Sequence, residues 1–211
     1  MSTVATTIQN LPLWALLTLS AVCGAAIAGV GALIFSRYVD DRDGDRSGGD
    51  SLTGVGNRRE LVHELEAAWR EGRATGGEFG LLVVDIDAFG DINHLYGRAT
   101  GDHVLAEVAE RIRLRVRGDD FVGRVDADEF AVVCHDVSPE ELEAIRCNLE
   151  AYVNFAQSVP VSLSIGVATP EKFDEASLDL LVRARKSLRQ RREARPERVV
   201  DEALSALLLP R

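Results

Sequence analysis

The stretch Phe79-Gly80-Leu81-Leu82-Val83-Val84-Asp85-Ile86-Asp87 (FGLLVVDID) decides how this chain folds. An apolar run without alternation, too short for an ordinary helix, is the pattern of a central strand covered on both faces. It closes on two aspartates. Side chains two apart in a strand share a face, so Asp85 and Asp87 stand together at the strand's mouth. Uncompensated charge is costly there, and something must answer it.

Further along, FVGRV (Phe121–Val125) and EFAVVC (Glu129–Cys134) are two short apolar runs around Asp126-Ala127-Asp128, the pattern of a hairpin. If this hairpin pairs beside FGLLVVDID, Asp128 and Glu129 approach Asp85. Carboxylate oxygens converging there suit Mg²⁺ (or Mn²⁺), a hard cation that takes one or two carboxylates and completes its shell with substrate phosphates. The chemistry such a site supports is phosphoryl or nucleotidyl transfer. A solvated acidic turn is the competing reading of the same residues.

Around these strands the chain alternates. LVHELEAAW (Leu61–Trp69), GDHVLAEVAERIRLRV (Gly101–Val116) and LDLLVRARKSLRQRR (Leu178–Arg192) carry helical periodicity. PEELEAIRCNLEAYVNFA (Pro139–Ala156) starts a helix after a Ser138 cap. VSLSIGVAT (Val161–Thr169) reads as a strand, and VVDEALSALLL near the end as a last short strand or helix. This order predicts an α/β (α+β) fold with helices covering a central mixed sheet.

Bulk composition narrows the function. With 211 residues, 46% hydrophobic and 27% charged, the chain holds one globular domain and an appendage, not a disordered or fibrous protein. A net charge of −10 argues against a nucleic-acid binder, which needs excess Lys and Arg. Only Lys172 and Lys186 are lysines; the arginine excess reads first as codon bias. Cys23, Cys134 and Cys147 form no CxxC, which fits a reducing compartment. His63, His94, His103 and His135 are scattered without ligand spacing.

No charged side chain precedes Arg37, and Leu11–Phe35 is almost wholly apolar. As a helix rising 1.5 Å per residue it is long enough to cross ~30 Å of hydrocarbon. The start MSTVATTIQN lacks the basic region of a cleaved signal peptide. Arg37, Arg42 and Arg46 flank only its C-terminal side, which predicts an inner-membrane protein with the N-terminus outside and the remainder in the cytoplasm. Gly24, Ala25, Ala28, Gly29 and Ala32 offer a small-residue face for helix pairing, although chance explains it almost as well. The expected division is 1–10, a transmembrane helix at 11–36, a polar Gly-rich linker at 37–49, a domain at 50–200 and a tail at 201–211. The linker leaves no space for a sensor domain.

Five ordered motifs resemble one family. DSLTGVGNRR (50–59) is similar to its DxLTGLxNRR start, and LLVVDIDAFGDIN (81–93) to its strand ending in DxDxFKxIN. YGRATGDHVL (96–105) matches YGHxxGDxxL, RVDADEF (124–130) stands in the position of the signature RxGGDEF, and VSLSIGVAT matches VTxSIGVA. The chain is thereby identified as resembling the GGDEF domain, the diguanylate cyclase fold, which is nucleotide-cyclase-like and palm-like. That family joins two GTP molecules into cyclic di-GMP across a dimer of domains, with Mg²⁺ in each half-site. The resemblance implies metal ligation by Asp85, the Ile86 main chain and Asp128, with Glu129 as an acidic catalytic neighbour of Asp128. It implies guanine reading by Asn93 and Asp102, and triphosphate contact by Arg192. Arg117 and Asp120 match the RxxD motif that binds product cyclic di-GMP.

The departures point the other way. Asp126-Ala127 replace the signature glycines: Ala127 would cost about 1 kcal/mol if left-handed, its methyl group intrudes where phosphate should pass, and Asp126 would repel a triphosphate by ~1–4 kcal/mol at ~4 Å. Gly90 replaces a lysine, Arg98 a histidine, and Pro196 an arginine for which Arg195 or Arg198 would have to substitute. The basic late helix also reads as a solvated face or as a surface for anionic lipid. The expectation is a membrane-anchored homodimer that binds GTP or cyclic di-GMP with weak or no turnover. An active cyclase and a scaffold that binds no nucleotide are the alternatives.

Overall fold

Strand β1 (Phe79–Ile86) lies inside a four-stranded sheet in a computed structural model that describes residues 48–153, 159 and 161–194. The expected membrane helix, nearly all of the linker, Arg195, Pro196, Arg198 and the tail lie outside the described residues. Among the described residues, no helix is long and apolar enough to cross a membrane.

The chain order is α1 (Arg58–Thr75), β1, α2 (Phe89–Tyr96), α3 (Arg98–Arg113), β2 (Phe121–Arg124), β3 (Glu129–His135), α4 (Pro139–Val153), β4 (Leu163–Ala168) and α5 (Ser177–Ala194). The strands run in the order β2-β3-β1-β4. The expected mixed sheet is corrected here. All three strand pairings are antiparallel, and parallel pairing among the described residues is confined to a single bridge, Gly56 to Gly123. The reason is topological: each helical crossover returns the chain parallel to the strand it left but skips one position, so a strand of opposite direction fills the gap.

Alternation along β1 divides the core. Leu82, Val84 and Ile86 pack with Phe89, Ile92, Val104, Leu105 and Val108 of α2 and α3, and with Leu142 and Leu149 of α4. Leu81 and Val83 face the other way, onto Leu61 and Leu65 of α1 and Leu180, Ala184 and Leu188 of α5. Both faces are therefore covered, which is why the strand reads as an unbroken apolar run.

Side-chain caps open α1 and α4. Asn57 and Glu60 form a reciprocal capping box at α1, which ends at Gly76 in the left-handed region. The Ser138 cap expected from the sequence is present at α4, and Glu141 makes it reciprocal. Gly166 in β4 lies directly under α5: a Cβ there would meet the Ala184 carbonyl oxygen at 2.0 Å and the Leu188 nitrogen at 2.4 Å.

Candidate functional site

The odd-numbered face of β1 that carries Leu81 and Val83 also carries Asp85, so this carboxylate emerges on the side covered by α1 and α5. Glu129 stands opposite Asp85 in the β1–β3 register, and Ser164 stands opposite it in the β1–β4 register. The Ile86 amide donates to the Asp128 carbonyl at 3.3 Å, which fastens the hairpin turn to the end of β1. Asp85, Ile86, Asp128 and Glu129, far apart in sequence, thus meet at one mouth of the sheet.

Helix α5 answers these acids with arginines. Arg185 donates through Nε and Nη2 to Glu129 at 2.5–3.2 Å. Arg192 places Nη1 3.0 Å from Asp85 Oδ1 and Nη2 3.5 Å from Asp87 Oδ1. Asp87 also accepts from Ser162 Oγ at 2.9 Å and Ser164 Oγ at 2.6 Å. Asp85 has no such support: its Oδ1 is shielded from solvent with no aligned donor, although Arg192 is at ion-pair distance. Burial pushes the Asp85 carboxyl up from 3.8 to about 6; Arg192 opposes this, while Asp128, Asp87 and Glu129 add to it.

Among the described residues, no three His, Cys, Asp or Glu side chains are gathered closely enough to hold a metal ion by themselves. The donors present still fit Mg²⁺ or Mn²⁺. A buried carboxylate oxygen without a hydrogen bond, beside a second carboxylate, is a partial shell of the kind this ion completes with phosphate and water.

The strand's exit leads into a helix whose N-terminus is open. Ala88 is left-handed (φ 54°, ψ 31°) and turns the chain sharply into α2, whose N-terminus has no side-chain cap. Such an end presents free amides and the positive pole of the helix dipole. Gly90 leaves it open, since a Cβ there would meet nothing within 4 Å. On the next turns, Asn93 lies against Gly101, whose Cβ would come within 2.0 Å of Asn93 Oδ1, and Asp102 follows at an exposed position. The structure therefore brings Asn93 and Asp102 to adjoining positions on α2 and α3.

The signature turn differs from the expected strain. Neither Asp126 nor Ala127 has a positive φ, so the left-handed penalty considered for Ala127 does not arise. The turn closes through Val125 N–H donating to the Glu129 carbonyl at 2.7 Å, and Asp126 Oδ1 accepts from the Ala127 amide at 2.9 Å. Arg124 braces it from outside, donating to the Ala127 carbonyl at 2.6 Å and to Asp50 at 3.2 Å. The charge on Asp126 is also partly answered. It pulls on the Arg58 guanidinium, which burial and the nearby Arg185 otherwise hold below its usual range.

Arg117 and Asp120 lie elsewhere, at the far end of β3. Asp120 accepts from the Arg117 amide at 2.8 Å and the His135 amide at 3.1 Å, while the exposed Arg117 guanidinium donates to the Asp136 carbonyl at 3.2 Å. A cleft of about 300 Å³ opens beside them, lined by Asp119, His135, Asp136, Phe79 and Glu71.

Arg58 and Arg185 were not foreseen as site residues. A signal existed for Arg185: positions 181, 185, 188 and 192 follow helical spacing, so it shares a face with the buried Leu181 and Leu188 and with Arg192.

The family model described as "Diguanylate cyclase, GGDEF domain" matches residues 47–198. The chain is 34% identical over 128 residues to diguanylate cyclase DosC of Escherichia coli K12, covering 57% of this chain and 28% of that protein. It is 32% identical over 125 residues to an uncharacterized membrane protein, SSP1970, of Staphylococcus saprophyticus, covering 56% of this chain and 35% of that one. The chain thus spans about a third or less of the length of these curated relatives. Among solved structures, the GGDEF domain of TpbB (YfiN) from Pseudomonas aeruginosa superposes with a TM-score of 0.66 at 31% identity, covering 70% of this chain and 90% of that one.

Proposed function

The chain belongs to the GGDEF diguanylate cyclase domain family, and on that premise we propose that it is a membrane-anchored, homodimeric receptor for guanine nucleotides, GTP or cyclic di-GMP, with weak cyclase turnover. The observation that carries this reading is the engagement of the acidic cluster by α5: Arg185 holds Glu129, and Arg192 lies against Asp85 and Asp87. The family's acids are kept, but the metal and triphosphate must compete with arginines for them.

In this reading Asp85, Asp128 and the Ile86 main chain hold Mg²⁺ or Mn²⁺. When bound, the ion neutralises phosphate charge and helps align a hydroxyl with an α-phosphate. The chain's own residues do the rest. The open α2 N-terminus receives phosphate, Asn93 and Asp102 read the guanine edge through amide and carboxylate groups, and Arg192 contacts the triphosphate. Arg117 and Asp120 bind cyclic di-GMP at the far end of the sheet. The unstrained Asp126-Ala127 turn lets nucleotide bind, while the Asp126 charge and the missing cation at Gly90 slow transfer, by roughly 5- to 1,000-fold for ~1–4 kcal/mol. Placement at the inner membrane, with the domain in the cytoplasm, rests on the apolar run Leu11–Phe35 and its flanking arginines; a relative described as a membrane protein is consistent with it.

The test is to incubate the purified full-length chain with GTP and Mg²⁺, quantify cyclic di-GMP, and measure binding of both nucleotides by calorimetry. The expected result is binding with slow product formation. Rapid cyclic di-GMP synthesis, lost in Asp128→Ala, would instead establish an active cyclase, and absence of all binding would establish a scaffold.

A further inference from the structure

Asp85 and Asp87 sit two residues apart but are held very differently. Asp87 is satisfied by two serine hydroxyls from the β4 side, at 2.6 and 2.9 Å. Asp85 keeps a solvent-shielded oxygen with no hydrogen bond, and the cation beside it is Arg192, whose side chain is 45% exposed. One guanidinium therefore spans both carboxylates from the last described turn of α5, with nearly half of its side chain facing solvent. The next carboxylate along, Glu129, is already gripped by Arg185.

We propose that Arg192 is an internal counter-cation that makes this site select a metal–polyphosphate complex over the bare metal ion. The proposal rests on the nucleotide-binding reading above and deepens it. A divalent ion approaching Asp85 alone meets a positive charge already 3.0 Å from the same oxygen and must displace it without offering it a new partner. An ion arriving on a triphosphate brings the partner with it, because phosphate oxygens accept two parallel N–H bonds from a guanidinium. Repulsion becomes attraction only when both components are present. The serine-held Asp87 keeps the arginine near the mouth during the exchange, since Nη2 lies 3.5 Å from its Oδ1.

The deciding experiment measures Mn²⁺ binding to the full-length chain by calorimetry and electron paramagnetic resonance. Mn²⁺ is supplied alone and then with a GTP analogue whose α,β-bridging oxygen is replaced by methylene. Wild type, Arg192→Gln, Arg192→Lys and Asp85→Asn are compared, with thermal melts confirming that each is folded. Arg192→Gln is expected to bind bare Mn²⁺ several-fold to roughly tenfold tighter than wild type and the Mn²⁺–analogue complex more weakly. Arg192→Lys should keep most of the selectivity, and Asp85→Asn should lose metal in both settings. Unchanged or weaker bare-metal binding in Arg192→Gln overturns the proposal, whether or not wild type binds the analogue. Failure of wild type to bind the analogue with Mn²⁺ strikes the nucleotide-binding reading, and the bare-metal comparison still decides the role of Arg192.

Discussion

Asp85 concentrates the electrostatic cost of the site in a single residue. Its carboxyl is raised from 3.8 to about 6 mainly because burial disfavours the charged form. In the unfolded chain the group ionises near its ordinary value, so the folded state holds the proton longer. Stability from this residue is therefore full below about pH 4 and is lost as pH rises through about 6. In metal-free buffer Asp85→Asn should stabilise the fold at pH 8 by ~2 kcal/mol once solvent screening is discounted, a rise of a few degrees in melting temperature, and the gain should vanish below pH 4. Melts across that range check it, and a gain that persists at low pH would show that burial of charge is not the cause. The two acids at the strand's mouth were legible in the sequence because they interrupt an apolar run. Arg192 was read there as a triphosphate contact and Arg185 shares its helical face, but their pairing with these acids was not legible, because an arginine-rich helix looks the same whether its cations face water or acids. Only the fold puts residues 185 and 192 over the strand ends.

Among the elements, α5 sets the geometry of the site, and Gly166 sets the height of α5. Backbone atoms of Ala184 and Leu188 fill the space a side chain would need. Gly166→Ala must lift the helix, and overpacking of this kind costs about 1–3 kcal/mol. The expected outcome is a lower melting temperature together with weaker nucleotide binding, since Arg185 and Arg192 ride on the same helix; normal binding in a destabilised variant would uncouple the two. The long helices were legible from periodicity and the four strands from short apolar runs. Helix α2 was not: it is only eight residues long, and Gly90, Asp91 and Asn93 are weak helix formers. Burial of Phe89 and Ile92 against the sheet makes it helical. The strand directions were also hidden, because a strand covered on both faces reads the same in parallel and antiparallel sheets.

Across the whole domain, the two candidate ligand positions lie at opposite ends of β3, Glu129 at one and His135 at the other, roughly 20 Å apart at ~3.4 Å per residue. Occupation of one therefore does not sterically block the other within a domain. Arg117→Ala is expected to weaken cyclic di-GMP binding at least ~10-fold, by loss of a charged hydrogen-bonding fork, and to leave GTP affinity unchanged; parallel titrations with both nucleotides check it, and equal losses would mean a shared site. The position of β1 between β3 and β4 has one more consequence, for synthesis on the ribosome. The central strand emerges early, yet both neighbours and the α5 arginines are made later. Asp85 acquires its arginine partner only when translation of the domain is nearly complete.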